Sequence, residues 1–218
     1  MGAVAHAHHE NEVDQKWGTS GNEDFAEASP GKIAMWFFLV SDALSFSGLL
    51  LSYGILRGGS EIWRLPGEPE LGIDFTAGLT FLLICSSVTM VLAVQAAHAG
   101  HKKDLVKFLG LTVLGGVLFL CGQLQEYWGV FHAIFGHHGL IQEGLIWGDS
   151  HRATTFYLIT GFHGCHVLTG VLYNSIVLGG AITGRVGKHN STVVEIAGLF
   201  WHFVDLVWIL VFTLIYLI

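Results

Sequence analysis

Trp201-His202-Phe203-Val204-Asp205 stands in the middle of residues 193–218, a stretch that contains no lysine or arginine. As an α-helix its 26 residues reach roughly 39 Å, more than the ~30 Å hydrocarbon core of a bilayer. A charged side chain at the middle of such a helix costs about 2.5–3.5 kcal/mol when it faces lipid. His202 and Asp205 are therefore expected to face protein, water or each other. Three residues apart, they share one helical face, where an imidazole and a carboxyl can meet.

The rest of the chain is written in the same solvent. Of 218 residues, 52% are hydrophobic and only 12% charged, with a mean hydropathy of +0.57. Soluble domains carry about 25% charged residues, so half that share points to lipid. Apolar spans fall at 33–56, 75–97, 105–127, 154–180 and 193–218, each long enough to cross. The expected fold is all-α, a polytopic bundle of five transmembrane helices over residues 31–218. Ser29-Pro30 suits a helix start, with the serine as cap and the proline in the first turn.

Residues 1–30 form a polar tail with six acids, Glu10, Glu12, Asp14, Glu23, Asp24 and Glu27, against Lys16 alone. They lack the basic and apolar regions of a signal peptide, so a retained tail is expected. The net charge of −7 and the lack of a basic patch exclude nucleic acid as a partner. Cys85, Cys121 and Cys165 all lie in apolar stretches and read as small packing residues rather than disulfide partners.

Basic residues set the direction. With the tail inside, one side collects Lys16, Lys32, Lys102, Lys103, Lys107, Arg185 and Lys188, and the other only Arg57, Arg64 and Arg152. The bias favours a cytoplasmic N-terminus and an external C-terminus. Helical rise then places Asp42, Ser86, Ser87, His163, His166, His202 and Asp205 about 14–18 Å deep. A common polar layer would satisfy them all. Ser41, Ser45, Gly48 and Ser52 on the first span, and Gly161, Gly164 and Gly170 on the fourth, read as close helix-packing surfaces.

Several chemistries fit these residues. His163, His166 and His202 have the character of haem axial ligands, with Asp205 orienting one of them; bracing within the bundle fits equally. Asp42 has no basic neighbour one turn away along its helix, and reads as a proton carrier or as a neutral acid bonded to the next helix. Glu126, at the aromatic end of the third span beside Tyr127 and Trp128, reads as an interfacial acid, solvated or in contact with a partner. His6, His8 and His9 in the tail, and His132, His137, His138 and His151 in the connection 128–153, lack the spacing of a metal site.

Three stretches carry a family resemblance. Gly31-Lys32-Ile33-Ala34-Met35-Trp36-Phe37-Phe38-Leu39-Val40-Ser41-Asp42, Gly161-Phe162-His163-Gly164-Cys165-His166-Val167 and Trp201-His202-Phe203-Val204-Asp205-Leu206-Val207-Trp208 resemble subunit III of the haem–copper terminal oxidases. The last two match its GFHGxH and WHFVDxVW signatures in order and spacing. The resemblance implies a non-catalytic subunit of the cytochrome c oxidase type in a bacterial plasma membrane. Haem and copper would sit in partner subunits I and II, with no metal held by this chain.

It further implies bound phospholipid, a role in proton uptake and durability during turnover, and a respiratory supercomplex as a further partner. Many members have seven spans, and these five correspond to the later ones. Asp42 stands where mitochondrial-type members place a glutamate, as in quinol-oxidase relatives, so cytochrome c and quinol both stay open as electron donor. A nitric oxide reductase accessory subunit and a free-standing haem-binding electron carrier are the other readings.

Overall fold

A computed structural model describes residues 29–130 and 139–218. The tail before residue 29 and the loop histidines His132, His137 and His138 lie outside the described residues. Five helices follow one another: α1 (Pro30–Gly59), α2 (Ile73–Ala99), α3 (Lys102–Trp128), α4 (His151–Thr183) and α5 (Ser191–Phe212). A short 3-10 turn, Lys188–Asn190, leads into α5, and a π-helical turn, Thr213–Leu217, ends it. All five are long and apolar enough to cross a membrane. The first four run one to three residues past each end of the spans read from hydropathy, because polar residues at the water interface continue the helix without entering lipid.

The helix ends follow local chemistry. Ser29 caps α1, its hydroxyl accepting from the Lys32 N–H, with Pro30 just inside. The Ser150 hydroxyl caps α4 in the same way through the Ala153 N–H at 3.0 Å. α2, α3 and α4 stop at Gly100, Gly129 and Gly184, each left-handed with φ of 78°, 63° and 80°, a conformation that glycine adopts without the Cβ penalty.

α2, α3, α4 and α5 pack side by side into a closed ring, α5 returning to α2, and α1 lies outside against α5 and α4. Burial matches this arrangement. Of the most apolar window of each, 56% is buried in the last span and 17% in α1. Trp201, Trp208, Phe119, Phe156 and Leu83 fill the centre, while Phe37, Leu44, Phe81, Ile176 and Leu206 face outward, as lipid permits. Residues 139–145 fold back over the end of α3, with Leu140 N–H donating to Glu126 O at 2.9 Å.

The expected small-residue surfaces divide. Ser41, Ser45 and Ser52 are exposed and bond carbonyls of their own helix, and a Cβ added at Gly48 or Gly161 would meet nothing within 4 Å. Close approach falls instead on α3, where a Cβ at Gly115 would lie 2.7 Å from Ser86 Cβ and one at Gly122 would lie 2.4 Å from Leu79 Cδ2. Of the three glycines expected to pack on the fourth span, Gly161, Gly164 and Gly170, the last alone is tight, against Trp201 at 2.9 Å.

Candidate functional site

α5 docks on α2 through the two tryptophans of its motif. Trp201 Nε1 donates to Ser86 Oγ at 3.2 Å, and Trp208 Nε1 to Thr80 Oγ1 at 2.9 Å. Seven residues apart, the two indoles lie on one face of the helix and turn both N–H groups to hydroxyls of the neighbour. Between them, His202 Nδ1 meets Ser87 Oγ at 2.6 Å. His202 thus turns to a serine of α2 rather than to Asp205.

A second pair joins α1 to α4. His166 Nε2 lies 3.1 Å from Asp42 Oδ1, and His166 Nδ1 lies 2.8 Å from the Phe162 carbonyl. A carbonyl can only accept, so Nδ1 carries a hydrogen. The remaining bridge then needs one proton, held either by the imidazole or by the carboxyl. Asp42, with no basic neighbour along its own helix, finds its partner on the fourth span.

His163 stands between these pairs without joining either. It is fully buried, stacked on Trp208 at 4.8 Å, with Phe119 and Phe46 edge-on at 5.9 and 6.4 Å. Neither ring nitrogen has a hydrogen-bond partner among the described residues. The single polar layer expected from helical depth is therefore corrected. Asp42–His166 and Ser87–His202 occupy separate seams because their helices meet in different pairs, Asp205 is buried on α5 three residues beyond His202, and the aromatic packing of His163 fills the centre.

Glu126 is corrected as well. Only 8% exposed, its Oε1 accepts from Tyr216 at 2.9 Å and from Thr76 at 3.2 Å. The fold-back of residues 139–145 over α3 and the closing turn of α5 take it away from solvent. Beside it, Tyr127 donates to Thr160 at 2.7 Å. Thr76, Tyr216, Thr160 and the buried Asn174 escaped the sequence reading, because a threonine or tyrosine in an apolar helix carries no signal of its own until its partner is known.

Glu68, in the connection between α1 and α2, pairs with Arg152 in the first turn of α4 at 3.0 Å, with side chains only 6% and 13% exposed. Burial pushes the Glu68 carboxyl up, but the Ser150 hydroxyl and Arg152 outweigh it, and it lies below the ordinary carboxylate value. Among the described residues, no group of three or more His, Cys, Asp or Glu side chains is placed to hold a metal. Cys85, Cys121 and Cys165 are free thiols.

Five apolar spans braced by buried interhelical hydrogen bonds define a polytopic integral membrane protein. Comparison with known proteins gives the family. The family model described as cytochrome c oxidase subunit III matches residues 10–218. A cytochrome c oxidase subunit 3 of a Synechocystis species is 36% identical over 182 residues, 83% of this chain and 72% of that protein. The cytochrome bo(3) ubiquinol oxidase subunit 3 of Pseudomonas aeruginosa is 31% identical over 205 residues, 90% of each chain. The cytochrome c oxidase subunit 3 of Corynebacterium diphtheriae is 34% identical, covering 83% of this chain and 84% of that protein. The chain belongs to the cytochrome c oxidase subunit III family, and with it to the accessory subunits of the haem–copper oxidases.

Proposed function

We propose that this chain is the non-catalytic subunit III of a proton-pumping terminal oxidase that reduces oxygen to water. In this reading it stabilises subunit I, holds phospholipid and supports proton uptake. Subunits I and II are its partners, haem and copper belong to them, and a larger respiratory supercomplex contains the whole. The chain lies in a bacterial plasma membrane with its N-terminus cytoplasmic and its C-terminus external, as the basic residues favour.

The observation that carries the reading is the family match along residues 10–218. The surroundings of the membrane histidines support it over an electron carrier. His163 is closed in by aromatic rings, His166 has both nitrogens engaged, and His202 commits Nδ1 to Ser87. All three act as braces, together with Asp205. Asp42 is the membrane carboxyl with a role in proton supply, because its bridge to His166 holds a proton that can sit on either side.

Replacing Asp42 with Asn tests this in the purified complex. An asparagine amide donates to a neutral His166 Nε2, so the contact and assembly survive while the mobile proton is gone. Sustained oxygen turnover then decays faster than in the unmodified complex, with a changed dependence on pH. Equal turnover and equal decay at every pH remove Asp42 from proton supply. The same preparation, supplied in turn with reduced cytochrome c and with quinol, identifies the electron donor.

A further inference from the structure

A groove of about 430 Å³ opens between α1, α2 and α5. Its walls are apolar, formed by Trp36 from α1, Val91 and Val94 from α2, and Leu199 from α5. Trp36 is 56% and Val91 43% exposed, so the groove opens sideways to lipid rather than into the ring. Two polar side chains interrupt these walls, Gln95 and His202. His202 commits Nδ1 to Ser87 Oγ at 2.6 Å, which leaves Nε2 for the groove. Neither that nitrogen nor the Gln95 amide has a hydrogen-bond partner among the described residues.

The two stand apart along the groove. His202 is level with Ser87, and Gln95 follows Ser87 on α2 by eight residues, about 12 Å nearer the end where α1 begins. At that end Lys32 ion-pairs with Glu195, which also meets His98 at 3.0 Å. The lysine of the groove is thereby neutralised, and an anionic headgroup finds no spare counter-charge on its walls.

We propose that this groove binds the ring of a lipid-soluble quinone, whose two carbonyl oxygens accept from Gln95 Nε2 and His202 Nε2 while the ring lies against Trp36. The inference goes beyond the reading as an accessory subunit, because it gives this chain a ligand of its own whichever donor feeds the complex. An occupant that enters from lipid past neutralised charges is itself neutral and apolar. Apolar walls with a few placed polar groups are the usual make-up of a small-molecule site, and an indole offers its face to a planar ring.

Hydrogen bonding narrows the class. When Ser87 donates to Nδ1, His202 carries its hydrogen on Nε2, where a carbonyl can accept it. A ring with an oxygen on each side, and a hydrogen bond of about 3 Å beyond each, spans most of the distance between the two donors. The long Gln95 side chain covers the rest. The reduced ring presents the same two oxygens as hydroxyls, which also donate to Gln95 Oε1, so both forms fit. Binding makes and breaks no covalent bond. A phospholipid acyl chain would suit the walls but leave the amide and imidazole facing hydrocarbon, which is costly in a membrane. Its ester carbonyls stay at headgroup level, whereas His202 lies about 14 Å deep.

A photoreactive azidoquinone, cross-linked by light in the purified complex, tests the site through the peptides it labels. Label is expected on this chain within residues 32–36, 91–95 or 198–202, and excess decylubiquinone should remove it. Gln95→Leu changes an exposed side chain that braces no other helix. It should raise the azidoquinone concentration for half-maximal labelling about tenfold, as loss of one hydrogen bond gives. Val91→Trp, which fills the groove from its lipid side, should abolish the label. No label in these segments, or half-maximal labelling unmoved by Gln95→Leu, overturns the proposal. Displacement by phosphatidylglycerol vesicles as effective as that by decylubiquinone overturns it too, in favour of an acyl chain. Oxygen turnover of the same preparations reports the accessory role separately, so the two readings fail independently.

Discussion

Gly116 shows what a single residue decides in this fold. On α3 it faces α4 and α5, and an added Cβ would lie 2.5 Å from Val171 Cγ2 and 2.6 Å from Trp201 Cη2. Trp201 is fixed by its bond to Ser86, so the crowding has no flexible chain end to absorb it. Overpacking of this kind costs about 1–3 kcal/mol. Gly116→Ala is expected to lower the temperature at which this subunit leaves the purified complex, while Gly48→Ala, open on its helix face, leaves it unchanged. Equal temperatures for the two variants would mean that α3 does not approach α5 as described. Residues of this kind were only half legible in the sequence. A histidine or aspartate in an apolar span declares itself as buried. Which glycine bears the contact depends on the facing helix, so the serine stripe of α1 read as an interface and Gly115, Gly116 and Gly122 did not.

Among the elements, the connection between α1 and α2 is tied to the start of α4 by one ion pair. Arg152 Nη1 contacts Glu68 Oε2 at 3.0 Å and the Pro69 carbonyl at 3.2 Å, while Ser150 caps α4 and its hydroxyl helps hold the Glu68 carboxyl ionised. The Glu68 carboxyl titrates below its ordinary value when folded. Its stabilising contribution is therefore fully present above the unfolded value and is lost as pH falls through the folded one. Hydrogen exchange in residues 60–72 is expected to be slow at neutral pH and to rise below the ordinary carboxylate range. Glu68→Gln should exchange faster at neutral pH and show little of this acid dependence. A Glu68→Gln profile that still steepens in acid would assign the effect to another group. The spans themselves were legible because lipid demands a long apolar run from each. This loop pairing was not, since its partners are 84 residues apart and share no periodicity.

At the scale of the whole molecule, four helices close a ring and α1 stands outside it. Hydropathy could count five spans but could not order them around an axis, because lipid-facing and protein-facing surfaces of a membrane helix are both apolar. The sequence did hold one clue in Asp42, whose burial required a partner on another helix. What keeps α1 in place includes a short set of contacts: Lys32 with Glu195 at one end, Arg57 with the Ile218 carbonyl at the other, Asp42 with His166 between them, and the Phe46 ring set 4.9 Å from Phe162 and 5.2 Å from His166. Phe46 is 3% exposed, so truncating it opens a void at the seam. In a water-soluble core Phe→Ala costs about 3–5 kcal/mol. Lipid solvates the released surface nearly as well as the protein does, which leaves roughly 2 kcal/mol of lost packing contact. Amide exchange in α1 of Phe46→Ala should then rise by more than about tenfold, while the ring of α2 to α5 keeps its protection. A uniform rise across all five helices would make the bundle one cooperative unit. No rise in α1 would place its anchorage in its polar contacts alone, Lys32 with Glu195, Asp42 with His166 and Arg57 with the Ile218 carbonyl.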